Sequence, residues 1–408
     1  MELSSRVKAV PDSITLKLND KANTLAEEGH QIFNLTAGQL PFKPVNQLIE
    51  SLGSELNFLK SYQYAPVPGY PKLKEKVLNR FLRLRNLEEE IHRDKLGVVV
   101  SNGGKHSIYN ALGTLLNPDD EVIMLAPYWV SYPEMIKFWG AKPVAVKSSI
   151  HNSFVPEIES IKAAVGPKTK LIILNSPNNP TGVHYPQKWM EEFADFLVDN
   201  PNLNVLSDEI YHELSYYDPA PTYFYQYRPE LLDRAIIVDG ISKSLACTGL
   251  RIGFTIAPTN FIKAMGKLQG QTTSGANSLI QRALMNFDFD STKESQESIK
   301  LHLRNNVNKL RDILRDNGLS SCWYQTTSAF YFIIDFSLTP VFKRFVTDGS
   351  NNVDAAAKIC EELLTETGVA IVPSSDFGIP NAARISLVSD LAPFSEAIGR
   401  LAKYLNSH

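Results

Sequence analysis

The chain has 408 residues, of which 43% are hydrophobic and 21% charged, and its formal net charge is −3. This length predicts two domains, and the composition is typical of a soluble globular protein. The small net charge and the lack of a basic stripe argue against binding to nucleic acid or to an anionic membrane surface, and no apolar run is long enough to span a bilayer.

Three cysteines, Cys247, Cys322 and Cys360, are widely spaced and odd in number. This pattern fits a reducing compartment, and it provides neither a disulfide framework nor a paired metal-binding motif. We therefore expect a cytoplasmic protein without a metal site.

The first predicted elements are helices over residues 15–28, 47–59 and 71–85. From residue 96, short apolar runs alternate with helical segments, which predicts a mostly parallel sheet with crossover helices. The predicted strands cover residues 96–100, 121–125, 144–147, 171–174, 204–206, 235–238 and 252–256. The predicted helices between them cover residues 105–116, 131–139, 156–165 and 187–199.

A long helix over 298–317 is predicted to lead into a second domain. The predicted strands of that domain cover 329–335, 369–372 and 384–388, and its helices cover 353–366 and 393–405. We therefore expect an α/β protein with two domains. A large domain (46–297) would hold a mostly parallel seven-stranded sheet covered by helices, and both chain ends (1–45 and 298–408) would form a smaller α/β domain.

Lys243 follows the predicted strand 235–238 and lies between two hydroxyls, those of Ser242 and Ser244, with Arg251 eight residues later. A lysine at such a position can form a Schiff base if desolvation or a neighbouring cation lowers its pKa. The two hydroxyls and the arginine would suit a phosphate. Together these groups suggest pyridoxal phosphate, although this stretch alone also fits a surface loop with an ordinary lysine.

Other candidate residues follow the predicted strands, where ligands collect in parallel sheets. Gly103, Gly104 and Lys105 open a helix, whose first N–H groups and dipole make an anion site. The stretch is neither a Walker A loop nor a GxGxxG motif, so nucleotide binding is disfavoured. Trp129 follows the next strand and could either stack on a flat ring or pack in the core.

Asn179 lies in a turn that prolines make rigid, and its amide could meet a phenolate-like oxygen. Asp208 is a candidate partner for a protonated pyridine nitrogen, a contact that keeps such a ring an electron sink. Tyr211 could reach the ring hydroxyl. The alternatives are that Asp208 caps a helix and that Tyr211 packs in the core.

Two further positions suggest a binding role. Arg384 lies in an otherwise apolar predicted strand, and a buried arginine requires an anion, either a substrate carboxylate or a structural acid. Gly38 lies in a proline-broken turn where backbone can approach a ligand closely, although a plain interdomain loop is an equal alternative.

Taken together, these residues resemble the class I pyridoxal-phosphate-dependent aminotransferases, specifically the bacterial aspartate aminotransferase branch. The resemblance covers essentially the whole chain. The motifs that carry it are Tyr64-Ala65-Pro66-Val67-Pro68-Gly69, Gly103-Gly104-Lys105, Pro127-Tyr128-Trp129-Val130-Ser131-Tyr132, Asn178-Asn179-Pro180-Thr181-Gly182, Ser207-Asp208-Glu209-Ile210-Tyr211, Ser242-Lys243, Thr248-Gly249-Leu250-Arg251-Ile252-Gly253 and Arg384. The sequence departs from the family pattern at Asp239, at Leu250 and in the non-acidic segment 39–42. Of these departures, only the last would alter the lip of the substrate pocket.

The resemblance implies fold type I and a role for each motif. Lys243 would be the Schiff-base lysine and the base that moves the Cα proton. The remaining cofactor contacts would be Asp208 to the pyridine nitrogen, Asn179 and Tyr211 to the ring oxygen, Trp129 to the ring face, and Gly104, Lys105, Ser242 and Arg251 to the phosphate, with Tyr64 reaching it from a neighbouring subunit.

The resemblance also implies the substrate contacts and the reaction. Arg384 would bind the α-carboxylate, with Gly38 and Asn179 beside it, and the Lys105 side chain would meet a distal carboxylate. We expect an aminotransferase that alternates between an amino acid, aspartate or glutamate, and a 2-oxo acid, and that works as a homodimer with shared active sites. The alternatives are a lyase of the same fold, an aromatic or alanine-type aminotransferase, and a non-catalytic binding protein.

Overall fold

A computed structural model describes residues 1–8, 10, 14–346 and 354–407. The strands are β1 (Phe33–Asn34), β2 (Leu96–Ser101), β3 (Glu121–Ala126), β4 (Lys142–Lys147), β5 (Thr169–Asn175), β6 (Asn204–Asp208), β7 (Ala235–Gly240), β8 (Gly253–Pro258), β9 (Tyr331–Asp335), β10 (Val369–Ala370), β11 (Val372–Pro373) and β12 (Ala382–Ser386).

The α-helices of the same residues are α1 (Ser5–Lys8), α2 (Ile14–Glu27), α3 (Asn46–Glu55), α4 (Pro71–Leu84), α5 (Glu89–His92), α6 (Gly104–Leu115), α7 (Ser131–Phe138), α8 (Ile158–Ala164), α9 (Gln187–Asp199), α10 (Phe224–Tyr227), α11 (Ile241–Ser244), α12 (Thr259–Gly270), α13 (Ser278–Asn286), α14 (Lys293–Asp316), α15 (Phe342–Val346), α16 (Ala355–Thr367) and α17 (Leu391–Leu405). Within these residues, no helix has both the length and the apolar character that crossing a bilayer requires.

The central sheet of the described chain has seven strands in the order β2-β8-β7-β6-β5-β3-β4. Its neighbours pair in parallel except at β8, which runs antiparallel to both β2 and β7. Because the parallel strands point the same way, the loops that follow them gather at one edge of the sheet. This arrangement confirms the predicted mostly parallel sheet of seven strands.

Strands of the central sheet such as β2 and β5 are largely apolar and buried because helices cover both faces, whereas the edge strand β4 is mostly outside the core. In β2, Val98 and Val100 pack into the core that contains Leu78 and Phe193, from α4 and α9. Val99, between them, faces the opposite core, which contains residues of α6 and α12. Alternate side chains of one strand therefore bury into two different cores.

The smaller domain draws on both chain ends, as predicted. Strand β1 pairs in parallel with β10, and β9 lies beside β12 in an antiparallel three-stranded sheet, β11-β12-β9. Its core joins β9, α14, α16 and α17 to residues of the N-terminal segment such as Leu18 and Leu35.

Several predicted elements differ from the structure, among them the long helix expected over 298–317, which begins five residues earlier, at Lys293. The single strand expected over 369–372 is two short strands, β10 and β11, that belong to different sheets. The strand expected over 384–388 begins and ends two residues earlier, so that Arg384 lies in its middle. The helix expected over 47–59 ends at Glu55 and is followed by a 3₁₀ turn. Of the helix expected over 353–366, residue 353 lies outside the described residues.

Gly182 lies where the turn after β5 meets the segment before β9. Its carbonyl oxygen accepts hydrogen bonds from the backbone N–H groups of Thr327 (2.8 Å) and Ser328 (2.9 Å). Its φ is +70°, and a Cβ at this position would collide with the carbonyl oxygen of Tyr331. Glycine is therefore required for the turn that carries Asn179 to approach the smaller domain so closely.

We expect Gly182→Ala to lower the free energy of unfolding by about 2–4 kcal/mol, because it combines a left-handed backbone with a backbone collision. The matched control is Gly399→Ala in α17, where a Cβ meets no atom within 4 Å. That substitution should stabilise the protein by about 0.5–1 kcal/mol through helix propensity. Urea unfolding midpoints of the two variants test both signs, and a G182A protein as stable as the unsubstituted chain would contradict the assignment.

Candidate active site

A cavity of about 460 Å³ opens at the carboxyl edge of the central sheet. The large domain supplies most of its wall, and Thr36, Gly38, Tyr331, Phe377 and Arg384 supply the rest from the chain ends. With one exception, Tyr64, the cavity brings together every site residue predicted from the sequence. Those residues are Gly38, Gly104, Lys105, Trp129, Asn179, Asp208, Tyr211, Ser242, Lys243, Arg251 and Arg384.

Lys243 lies on α11, immediately after β7, with its amine in the cavity. The Nζ atom donates a 2.5 Å hydrogen bond to the carbonyl oxygen of Gly38 and lies 5.4 Å from the centre of the Phe330 ring. Burial lowers the pKa of Lys243 to about 8, with further lowering by Arg384 and Arg251. A lysine with this pKa is neutral in a larger fraction of molecules near physiological pH than an ordinary lysine, and nucleophilic attack on a carbonyl requires the neutral amine.

Asp208 ends β6 and is almost completely buried in the cavity wall. Burial raises the pKa of its carboxyl to about 6, although a 2.6 Å hydrogen bond from the hydroxyl of Tyr132 opposes this. Among the described residues, no basic side chain forms an ion pair with it. A buried carboxylate in this condition is suited to a cationic ligand group.

Tyr132 is a site residue that the sequence reasoning missed. It lies on α7, three residues after Trp129, and its ring meets the Trp129 ring edge-on with 5.4 Å between centroids. The turn that leads into α7, closed by a hydrogen bond from the Tyr132 N–H to the Trp129 carbonyl oxygen (3.0 Å), therefore supplies both the Trp129 side chain that lines the cavity and the hydroxyl that holds Asp208. The spacing of a tryptophan and a tyrosine at the start of a predicted helix was the available signal.

Arg384 is buried at the side of the cavity formed by the smaller domain. Its Nη1 donates to Asn179 Oδ1 (3.2 Å) and its Nη2 to the carbonyl oxygen of Thr36 (3.0 Å). Its guanidinium lies 4.5 Å from the Tyr331 ring and 5.2 Å from the Phe377 ring. Within the described chain its Nε has no hydrogen-bond partner and no carboxylate pairs with it. The structural-acid alternative is therefore not found there.

The opposite side of the cavity is shaped by the start of α6. Gly103 has a φ of +87°, and a Cβ there would collide with the guanidinium of Arg251. A Cβ on Gly253 would collide with the backbone of Gly103 and Gly104. These glycines leave an open cradle of helical N–H groups with Arg251 beside it, which is the arrangement that a phosphate requires.

Lys105 and Trp129 form the outer wall beside this cradle. The Lys105 Nζ lies 4.9 Å from the centre of the Trp129 ring, and in the described chain it forms no ion pair. Burial lowers the pKa of Lys105, and the charge of Arg251 lowers it further. The cavity therefore contains Lys105 as a further cation, besides Arg384 and Arg251, that has no ion-pair partner among the described residues.

Tyr64 does not reach the cavity of its own chain. It is 92% exposed and follows an exposed apolar group, Leu56, Phe58, Leu59 and Tyr62. Its predicted contact with a phosphate bound by a neighbouring subunit stays a prediction.

Several residues that line the cavity do not belong to any predicted motif, and the tertiary structure brings them to the site. Tyr331 and Phe377 flank Arg384 only because of how the smaller domain folds, so no local pattern in the sequence indicated them. The Tyr331 hydroxyl lies 3.4 Å from that of Tyr211. Asn175, in contrast, is a polar residue ending a buried strand, and its Oδ1 accepts a 2.9 Å hydrogen bond from the Asn179 backbone. That position could have been predicted.

The fold and the cavity define a class of enzyme. A lysine with a lowered pKa, an unpaired buried acid, an aromatic wall and an open phosphate cradle fit pyridoxal phosphate in size and in charge, on a sheet of the predicted topology. The protein is a pyridoxal-phosphate-dependent enzyme of fold type I.

Comparison with known proteins gives the particular family. The family described as Aminotransferase class I and II matches residues 30–401. The chain is 34% identical to the aspartate aminotransferase of Bacillus subtilis (strain 168) over 100% of both proteins. It is 33% identical to the aspartate/prephenate aminotransferase of Thermus thermophilus, with 99% of this chain and 98% of that protein covered.

A solved structure agrees. The aspartate aminotransferase from Thermus thermophilus with maleate has a TM-score of 0.85 and 32% sequence identity, over 99% of this chain and 100% of that one. The chain belongs to the class I and II aminotransferases and is a pyridoxal-phosphate-dependent aminotransferase.

The raised pKa of Asp208 predicts that the free energy of unfolding of the cofactor-free protein depends on pH. Its pKa moves from an ordinary 3.8 to about 6 on folding, so the folded state binds the proton more tightly than the unfolded state. Stability should therefore fall as the pH rises from about 4 to about 6, by roughly 3 kcal/mol for this group. Asp208→Asn should remove that fall.

The measurement is urea unfolding of the cofactor-free wild type and D208N at pH values on both sides of this window. The control is Asp94→Asn at an exposed position. Equal pH profiles for wild type and D208N would show that the folded carboxyl keeps its ordinary pKa.

Proposed function

We propose that this enzyme transfers the amino group of dicarboxylic amino acids, aspartate and glutamate, to 2-oxo acids, and that Arg384 binds the substrate α-carboxylate. The observation that carries the proposal is the buried Arg384 guanidinium, with no carboxylate partner among the described residues, in the same cavity as the Lys243 amine. A buried guanidinium fork is best compensated by a bidentate carboxylate.

The preference for a second carboxylate rests on Lys105. Its amine lies by the Trp129 ring, separate from Arg384, and is likewise without an ion-pair partner in the described residues. A dicarboxylic substrate would complement both cations, whereas an apolar one would leave Lys105 uncompensated. Two relatives, one named aspartate aminotransferase and the other aspartate/prephenate aminotransferase, agree with this preference.

The residues present would hold the cofactor through its charged groups. Asp208 would bind the pyridine nitrogen, and Asn179 and Tyr211 the ring oxygen. Burial raises the pKa of Tyr211 well above its usual value, so its hydroxyl would act as a neutral donor. The other proposed contacts are Trp129 to the ring face and the backbone of Gly104 and Lys105, with Ser242 and Arg251, to the phosphate. When bound, pyridoxal phosphate supplies an electron sink that makes the substrate Cα–H acidic.

Lys243 would then move the proton. As a general base its Nζ would take the proton from the substrate Cα, and as a general acid it would give that proton to the cofactor carbon instead of back to Cα. A pKa of about 8 suits both directions near neutral pH. Arg384, with Gly38 and Asn179 beside it, holds the substrate so that Cα stays within reach of that amine. In the described cavity no feature favours the lyase alternative.

We also propose that the chain divides into residues 1–45 with 298–408 and residues 46–297, and that it works as a homodimer in the cytoplasm. The location of the small sheets supports the division. The exposed apolar group before Tyr64 supports a dimer, because such patches mark interfaces. Three buried free cysteines suit a reducing compartment.

We expect Lys105→Ala to lower kcat/KM for aspartate and glutamate by about 10- to 100-fold, the usual effect of losing one charge-assisted contact. Alanine as donor should change by less than about threefold. The control is Arg384→Lys, which keeps the charge but loses the fork and should lower kcat/KM for all three amino acids. Steady-state assays with 2-oxoglutarate as acceptor separate the two patterns, and an equal loss for alanine in K105A would refute the assignment of Lys105.

We expect Tyr64→Phe to weaken binding of pyridoxal phosphate by about tenfold, the effect of losing one hydrogen bond to a charged group. Tyr62→Phe is the matched control, since the Tyr62 hydroxyl donates to the Leu56 carbonyl oxygen of its own chain. The dissociation constant of pyridoxal phosphate would be measured by equilibrium binding, and the oligomeric state by light scattering on the same samples. A monomer that binds the cofactor as tightly as the dimer would contradict the role of Tyr64.

A further inference from the structure

A fully buried ionic cluster lies directly behind Asp208. Glu209 Oε2 accepts hydrogen bonds from Arg85 Nη2 (2.7 Å) and Nε (3.1 Å). Its Oε1 accepts from the hydroxyls of Tyr225 (2.7 Å) and Ser207 (2.8 Å). The Arg85 guanidinium also lies 4.4 Å from the centre of the Tyr223 ring. The carboxylate of Glu209 therefore accepts four hydrogen bonds, and its side chain has no exposed area.

The position of this cluster follows from the alternation of side chains along an extended chain. Asp208 lines the cavity, whereas Ser207 and Glu209, its neighbours on either side, reach the cluster on the other face. The Glu209 N–H donates to the Val238 carbonyl oxygen (2.8 Å), so the chain still follows β7 at this point. Fixing the Glu209 carboxylate thus fixes the peptide that carries Asp208.

Burying this ion pair costs more desolvation free energy than burying an apolar contact would. Removing two charges from water offsets most of their attraction, and apolar residues of the same volume often stabilise a protein as well or better. Helix α4 is already anchored to the sheet by Leu73, Val77 and Phe81. What the ion pair adds is direction, because two N–H groups of one planar guanidinium donate to Oε2 of Glu209 while two hydroxyls donate to its Oε1.

The cluster also affects charge. The pKa of Asp208 is raised mainly by burial, and the carboxylate of Glu209, one residue away, adds to that rise. The guanidinium of Arg85 neutralises Glu209 and so leaves Asp208 free to be the anion of the cavity.

We propose that Arg85 and Glu209 are positioning residues of this enzyme. They would fix where the Asp208 carboxylate lies in the cavity and keep it ionised, so that it can meet the cofactor nitrogen. The inference rests on the role given to Asp208 in the proposed function. The competing explanation is that the ion pair only anchors α4 to the sheet.

The two explanations differ in what Glu209→Gln does when Asp208 is already neutral. The probe is pyridoxamine phosphate, which has the ring nitrogen and the phosphate but no aldehyde, so its binding does not depend on a bond to Lys243. Its dissociation constant is measured by calorimetry for the cofactor-free wild type, E209Q, D208N and the double variant. Arg85→Lys is added as the conservative change that keeps the charge without the fork.

The matched control is Glu213→Gln. Glu213 is a second, largely buried acid that pairs with α4 through Arg80, but it is not adjacent to Asp208. We expect E209Q to weaken binding about tenfold in the wild type and less than about twofold in the D208N background, since residues acting through one group are not additive. R85K should weaken binding by an intermediate amount, and E213Q should not.

Every other result of this experiment contradicts a stated part of the proposal. An equal loss from E209Q in both backgrounds, or an equal loss in E213Q, would leave only the anchoring role. If D208N itself binds pyridoxamine phosphate as tightly as wild type, the proposed role of Asp208 fails and the positioning role fails with it. If E209Q does not fold, R85K decides alone, and an unchanged constant in R85K would overturn the proposal.

Discussion

The burial of charge without an opposite charge is the constraint on which this structure depends. Lys243, Asp208 and Arg384 share one cavity, and in the described chain none of them forms an ion pair. With Lys105 and Arg251 the cavity holds more cationic than anionic groups, which suits a phosphate and the carboxylates of a substrate. The apolar cores on both faces of the sheet offset the cost of holding these groups apart until ligands neutralise them.

The sheet makes this arrangement possible in two ways. Parallel strands bring their carboxyl ends to one edge, so residues far apart in sequence, such as Asp208 and Lys243, meet there. Alternation along β6 then gives adjacent residues opposite surroundings. Asp208 faces the cavity and accepts hydrogen bonds from the Tyr132 hydroxyl and the Ile210 N–H, while Glu209 accepts four hydrogen bonds in the buried cluster behind it. One strand end thus joins a reactive group to a rigid support.

The sequence predicted most of the fold and nearly all of the candidate site because both follow from local signals. Apolar runs marked the strands, and polar residues after those runs marked the cavity, as at Asn179 and Asp208. What it did not predict depends on tertiary packing. Residues 369–372 read as one apolar strand, yet the chain changes sheets within them. Tyr331 and Phe377 acquire their place beside Arg384 only through strand pairing.

The pairing of β1 with β10 has a consequence for the order of folding. Phe33 pairs with Val369, so the strand made early in synthesis has no partner until almost the whole chain has left the ribosome. The central sheet, whose strands lie between residues 96 and 258, needs no such wait. Because contacts distant in sequence form slowly and domains fold as units, the large domain can form first. The cavity then closes last, when the C-terminal residues bring Arg384 to its place.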